Sequence, residues 1–107
     1  MSKPAGMAIT EYFVLLALAE GPAHGQAIAS QIIGDSVGGV YLRPSTLYST
    51  LKSLEERGLI ERTGHVETKL HRKSYRLAEQ GEHQLAYAAR MHGRAAGLAK
   101  SRLGLRY

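Results

Sequence analysis

Residues 43–60 read R-P-S-T-L-Y-S-T-L-K-S-L-E-E-R-G-L-I, and residues 72–77 read R-K-S-Y-R-L. Leu47, Leu51 and Leu54 fall at i, i+4 and i+7, which gives a helix one apolar edge. Ser45, Ser49, Lys52 and Glu56 lie on the opposite edge. Pro44 suits a first helical turn, where its fixed φ is already helical and no N–H is required, and Gly58 stops the helix. Segments 60–65 and 69–77 are close enough to pair as a hairpin, with a tip near Glu67-Thr68. A helix with such a polar edge can lie in a DNA major groove, and a basic ribbon after it can hold the neighbouring backbone. The pattern predicts a mostly α chain with a small β-hairpin: a winged helix-turn-helix followed by a C-terminal helix.

Outward from this block, residues 1–8 lack periodicity and read as a loose leader. Thr10 can cap a first helix that runs to about residue 20, with Phe13, Leu16 and Ala17 inward and Leu15 and Leu18 widening the stripe. Gly21-Pro22 ends it. A second helix over 25–33 carries Ile28, Ile32 and Ile33, and residues 34–39 form a Gly-rich loop. Residues 78–107 are helical. Leu85, Ala88, Ala89, His92, Ala95, Ala96 and Ala99 form a broad stripe of mostly small groups there. Gly93 and Gly97 each cost such a helix about 1 kcal/mol relative to Ala, so it needs a packing partner. Small side chains let two helix backbones approach closely, and the stripe is expected to be a homodimer interface. The expected organisation is a leader at 1–8, a DNA-binding unit at 9–77 and a dimerisation helix at 78–107.

Composition limits the function classes. The 107-residue chain carries a formal charge of +5 and has no cysteine, which removes disulfides, thiolate metal sites and thiol catalysis. Residues 1–42 have a net charge of −2, residues 43–77 of +4 and residues 78–107 of +3. Positive charge therefore gathers where the helix and hairpin lie, as a phosphate-facing surface requires. The longest apolar run, residues 13–19, is far too short to span a bilayer. It lies between Glu11 and Glu20 rather than behind a basic segment, so a membrane partner and an export signal are not expected, and the cytoplasm is. A single Asp in a Gly-rich loop and no phosphate-cradling motif leave little for an enzyme. No cofactor is expected.

The order Gly21-Pro22-Ala23-His24-Gly25, then residues 44–60, then residues 72–81 resembles the PadR family of transcriptional regulators, with the stretch from Thr46-Leu47-Tyr48 to Ile60 as the specific part. The resemblance implies a homodimeric winged-helix DNA-binding regulator, usually a repressor, released from DNA by a small molecule. It implies that Tyr48 and its polar neighbours approach DNA, that Arg72 and Lys73 sit on the wing strand, and that a helix from about Glu79 makes the dimer. The length resembles that of the family's short branch, which has one C-terminal helix, and implies that organisation here. The chain departs from the family pattern at four places. Gln26 follows His-Gly where Tyr is usual, Arg43 precedes Pro44 where a Ser or Asn cap is usual, and Ala78 replaces a Thr cap. The wing tip is also poorer in Gly and Pro.

The residues expected to bind double-stranded DNA are Arg43, Ser45, Thr46, Tyr48, Ser49, Lys52, Lys69, His71, Arg72 and Lys73. Arg43 and Lys52 suit guanine edges or phosphates, and the hydroxyls suit phosphates. Lys69, His71, Arg72 and Lys73 suit the backbone. Tyr48 is equally suited to a core between helix and wing. Arg57 reads as a helix-end cation. Two other readings remain: a metal-responsive regulator using Glu79, His83, His65 and His71 as ligands, and a winged helix that binds protein. No complete metal site is expected, since two ligands do not make one.

Overall fold

The computed structural model describes residues 6–67 and 72–104. The elements are α1 (Ile9–Leu18), β1 (Ala23–His24), α2 (Gly25–Asp35), α3 (Pro44–Glu56), β2 (Ile60–Glu67), β3 (Arg72–Leu77) and α4 (Glu79–Leu103). This is the winged helix-turn-helix arrangement with a long C-terminal helix.

α1 is central: α2, α3, α4 and β3 all pack against it. A helix surrounded in this way is apolar on most sides, which accounts for the run at 13–19. Val14, Leu15, Ala17 and Leu18 are buried, while Phe13 and Leu16 are only partly covered, so the inward line lies one residue away from the expected one. Thr10 does not cap α1. Ala8 holds that position, its carbonyl accepts from the Tyr12 N–H, and the Glu11 carboxylate accepts from the Ala8 N–H at 3.1 Å. Glutamate at the third helical position supplies the return half of a capping box. Ile28 and Ile32 of α2 are fully buried, but Ile33 turns to solvent. Residues 6–8 carry no regular structure, and Met7 packs on the core.

α3 forms where the leucines place it. Leu47, Leu51 and Leu54 are buried, and the missing cap at Arg43 is seen as such, with no side-chain bond to the helix start. Its other end closes on a Schellman motif: the Gly58 N–H donates to the Glu55 carbonyl and the Leu59 N–H to the Leu54 carbonyl, both at 3.0 Å. Gly58 adopts φ 75°, which a side chain would oppose. The turn delivers Leu59 and Ile60 into the core at the start of the wing.

The sheet is antiparallel, in the order β1-β3-β2. β2 and β3 pair from Ile60↔Leu77 to Glu67↔Arg72, with a register shift between Arg62 and Val66. Between those pairs β2 advances by two more residues than β3, and such bulges bend a strand. β1, two residues long, adds Ala23↔Tyr75 and His24↔Ser74. Nothing in the local sequence marked it, since its only support is pairing with a strand fifty residues away.

α4 starts against the turn after α3 and then leaves the body. The Ala78 N–H donates to the Leu59 carbonyl at 3.0 Å. Ala78 offers no side-chain cap, as its replacement of Thr implies. Gly81 and Ala88 are buried, but beyond Ala88 only His92 is even partly covered among the described residues. The radius of gyration is 15.3 Å, against about 13 Å for a compact chain of this length. A helix of about 37 Å explains the excess. No described helix is long and apolar enough to cross a membrane.

Candidate nucleic-acid interface

The outer edge of α3 carries the side chains the sequence assigned to DNA. Arg43, Ser45, Thr46, Tyr48, Ser49 and Lys52 are all exposed, opposite the buried leucines. The Ser49 hydroxyl donates to the Thr46 carbonyl at 3.1 Å, which leaves its oxygen lone pairs outward. On the wing, Lys73 is exposed, and Arg72 lies on β3 opposite Glu67. Lys69 and His71 lie outside the described residues.

Ion pairing divides the cations into two sets. Arg57 pairs with Glu11 of α1, Arg62 with Glu55 of α3 at 3.0 Å, and Arg76 with Glu61 across the hairpin at 2.9 Å. These pairs are partly or largely exposed and stabilise the fold little. They do, however, neutralise three charges that could otherwise face phosphate. Among the described residues, Arg43, Lys52 and Lys73 have no carboxylate partner. Of the cations expected to meet DNA, these three are the ones whose side chains are described, and Arg90, Arg94, Lys100 and Arg102 of α4 are likewise without a carboxylate partner there. Arg57 is a helix-end residue, as its position beside Gly58 suggested, and it ties α3 to α1.

Tyr48 occupies a position between the two readings the sequence left open. Half its surface is exposed, and its ring lies over Gly25 at the start of α2. Tyr75 of β3 is the buried aromatic between sheet and helices, 5 % exposed, a role the motif R-K-S-Y-R-L had not revealed. Burial pushes its phenol pKa up; Arg62 opposes this, while Glu55 and Tyr48 add to it. His24 was also unassigned in the sequence. Its Nδ1 accepts from the Ala27 N–H at 3.3 Å and so caps α2. Residues before α3, between α2 and β3, frame a cleft of about 720 Å³ that Tyr41, Tyr48 and Lys73 share. Of the residues expected at DNA, Tyr48 of α3 and Lys73 of the wing share this opening. Tyr41 had no signal beyond its nearness to Pro44.

The expected dimer residues separate into two groups. Leu85 packs on the core, Ala88 is buried in its own domain, and the His92 ring meets Tyr12 edge-on at 4.7 Å. Ala89, Ala95, Ala96 and Ala99 are exposed, with Met91, Leu98 and Leu103 exposed beside them. A groove of about 600 Å³ runs between α1 and α4, edged by Tyr12, Leu16, Leu85 and Ala89. Among the described residues no three His, Asp or Glu side chains gather to hold a metal. His83 and Glu79 stand 3.8 Å apart on an exposed turn of α4.

The model of the transcriptional regulator PadR-like family matches residues 14–87. Solved structures share the fold. The protein smu.1704 from Streptococcus mutans UA159 is 26% identical with a TM-score of 0.77, covering 100% of this chain and 97% of that one. PadR from Bacillus subtilis, solved in complex with operator DNA, is 27% identical with a TM-score of 0.70, covering 79% of this chain but 48% of that one. A PadR family transcription regulator from Clostridium difficile R20291 is 22% identical with a TM-score of 0.76, covering 91% of this chain and 100% of that one. No curated protein matches the chain. The match to the family model spans the core of the winged helix and the first turns of α4, and on it the chain belongs to the PadR-like family of transcriptional regulators.

Proposed function

We propose that the protein is a homodimeric, sequence-specific DNA-binding regulator that represses from a pseudo-palindromic operator and is released by a small effector. The observation that carries this reading is the separation of charges within residues 43–77: Arg57, Arg62 and Arg76 are ion-paired, while Arg43 at the start of α3, Lys52 on α3 and Lys73 on β3 have no carboxylate partner among the described residues. Residues 9–77 form the DNA-binding unit in this reading, and residues 78–107 the dimer element. Support for the dimer comes from α4. His92, Ala95, Ala99 and Leu103 follow one line along it, and the last three are exposed. An apolar line on a helix beyond the domain calls for a second copy. Two copies related by a two-fold axis would set paired α3 helices in successive major grooves, about one turn apart. Bacillus subtilis PadR, solved with operator DNA, supports operator binding as the shared activity. The α1–α4 groove supports release by a small molecule, since a ligand there would bear on the helix that fixes the spacing of the two copies.

The test is binding of the purified protein to DNA upstream of its own gene, titrated across salt with unrelated duplex as competitor. Tight binding that survives competition and weakens steeply with salt is expected. Weak binding that is indifferent to sequence would overturn the operator reading and favour the protein-binding winged helix.

A further inference from the structure

We propose that Gly25 is a positioning residue for DNA binding: its missing side chain is the seat on which the Tyr48 ring lies, so that α2 fixes where α3 presents its phenol hydroxyl to a backbone phosphate. The inference rests on the DNA-binding reading and adds to it a residue that touches no DNA.

The geometry is specific. A Cβ on Gly25 would stand 2.8 Å from the Tyr48 hydroxyl oxygen, 3.0 Å from Cε1 and 3.1 Å from Cζ. All three atoms are at the far end of one side chain, so the two residues cannot both keep their places once a methyl is added. Gly25 is buried and begins α2 behind the His24 cap, whereas Tyr48 is half-exposed. The tyrosine is therefore the partner that yields. Gly81 makes a useful contrast, because a Cβ there would meet the Leu59 backbone oxygen at 2.0 Å, and backbone cannot swing aside. The addition of one methyl should cost position at residue 25 and stability at residue 81.

The chemistry of the opening identifies the ligand. The cleft beside the seat is lined by Tyr41, Tyr48, Lys73, Gln26 and His24 among its polar residues, and among the described residues no carboxylate lines it. Phenol hydroxyls and an ammonium without a counter-charge suit an anion that also brings flat or apolar surface, which a sugar–phosphate backbone does. A neutral hydroxyl bound to a phosphate adds affinity without releasing a counterion and without reading a base.

The test titrates the full chain with its operator duplex and with an unrelated duplex at several salt concentrations, using fluorescence anisotropy. The variants are Gly25→Ala, Tyr48→Phe, Tyr48→Ala and the double variant Gly25→Ala/Tyr48→Ala, each checked by circular dichroism. Tyr48→Phe is expected to weaken both duplexes by about tenfold with the salt slope unchanged. Gly25→Ala should do the same, and should cause no further loss in the Tyr48→Ala background. If Gly25→Ala binds like the parent chain, or its loss persists in full without Tyr48, the seat is wrong. A Gly25→Ala chain that unfolds supports the seat only if Tyr48→Ala restores it, and overturns it otherwise. The two readings fail separately. Operator preference with a neutral Gly25→Ala sinks this inference alone. Equal losses on all duplexes, with no operator preference in the parent chain, sink the sequence-specific reading alone. A parent chain that binds no duplex sinks both.

Discussion

A methyl group on Gly81 would stand 2.0 Å from the Leu59 carbonyl oxygen and 2.8 Å from Leu77 Cδ1. Gly81→Ala is accordingly expected to lower stability on the order of 3 kcal/mol, measured by denaturant unfolding; an unchanged midpoint would mean that α4 can shift off the Leu59 turn at no cost. Lys52 is exposed and without a carboxylate partner among the described residues. Lys52→Ala should cost about 1–3 kcal/mol on the operator if it reads a base. Equal loss on every sequence with a shallower salt slope would assign it to phosphate instead. Tyr75 gives a pH dependence. Its folded pKa is raised above the ordinary value of 10.0, so the stability from the neutral phenol is complete below pH 10 and is lost as pH rises through the folded value. Alkaline unfolding above pH 10 should therefore be milder in Tyr75→Phe than in the parent chain, and identical alkaline profiles would remove Tyr75 as its cause. At this scale the sequence was uneven. Leu47, Leu51 and Leu54 were legible because a helical period puts them on one face. Tyr75 was not, since its burial depends on β1 pairing with β3 and on α1 and α2 packing against that strand from distant parts of the chain.

Among the elements, α3 and α4 were read with sound starts, because Pro44 and the polar-to-apolar periodicity are local signals. The cap of α1 was misplaced at Thr10, since the deciding bond is made by Glu11 back to Ala8. A helix start depends on which acceptor reaches an orphan N–H, and two neighbouring positions can compete for it. The stripe on α4 was legible as a stripe but not in its division of labour. Leu85 and Ala88 face their own domain, and the exposed small residues follow only beyond that. Ala96 belongs to the exposed part, and Ala96→Glu is expected to convert a dimer to a monomer in sedimentation. An unchanged mass would place the interface elsewhere. The substitution should leave the melting of the winged helix itself nearly unaltered, since surface changes away from packed sites usually fall within about 0.5 kcal/mol.

For the whole molecule, charge and shape carry the functional expectation together. Two copies that each bring Arg43, Lys52 and Lys73 to phosphates should give a slope of log affinity against log salt of about −5 or steeper. A slope of about −3 would mean that one copy binds alone, and a shallower one that these cations point away from DNA. Two properties of the chain follow from the sequence alone: the recognition helix, whose period needs no partner to be seen, and the gathering of positive charge in residues 43–77. Both are local or additive quantities, and neighbours cannot change them. Which of those charges stay open was decided only by tertiary structure. Arg57, Arg62 and Arg76 meet Glu11, Glu55 and Glu61 through packing of α3 on α1, of β2 on α3 and of the hairpin on itself. The seat of Tyr48 on Gly25 has the same origin, because two residues twenty-three positions apart touch only once α2 and α3 have packed.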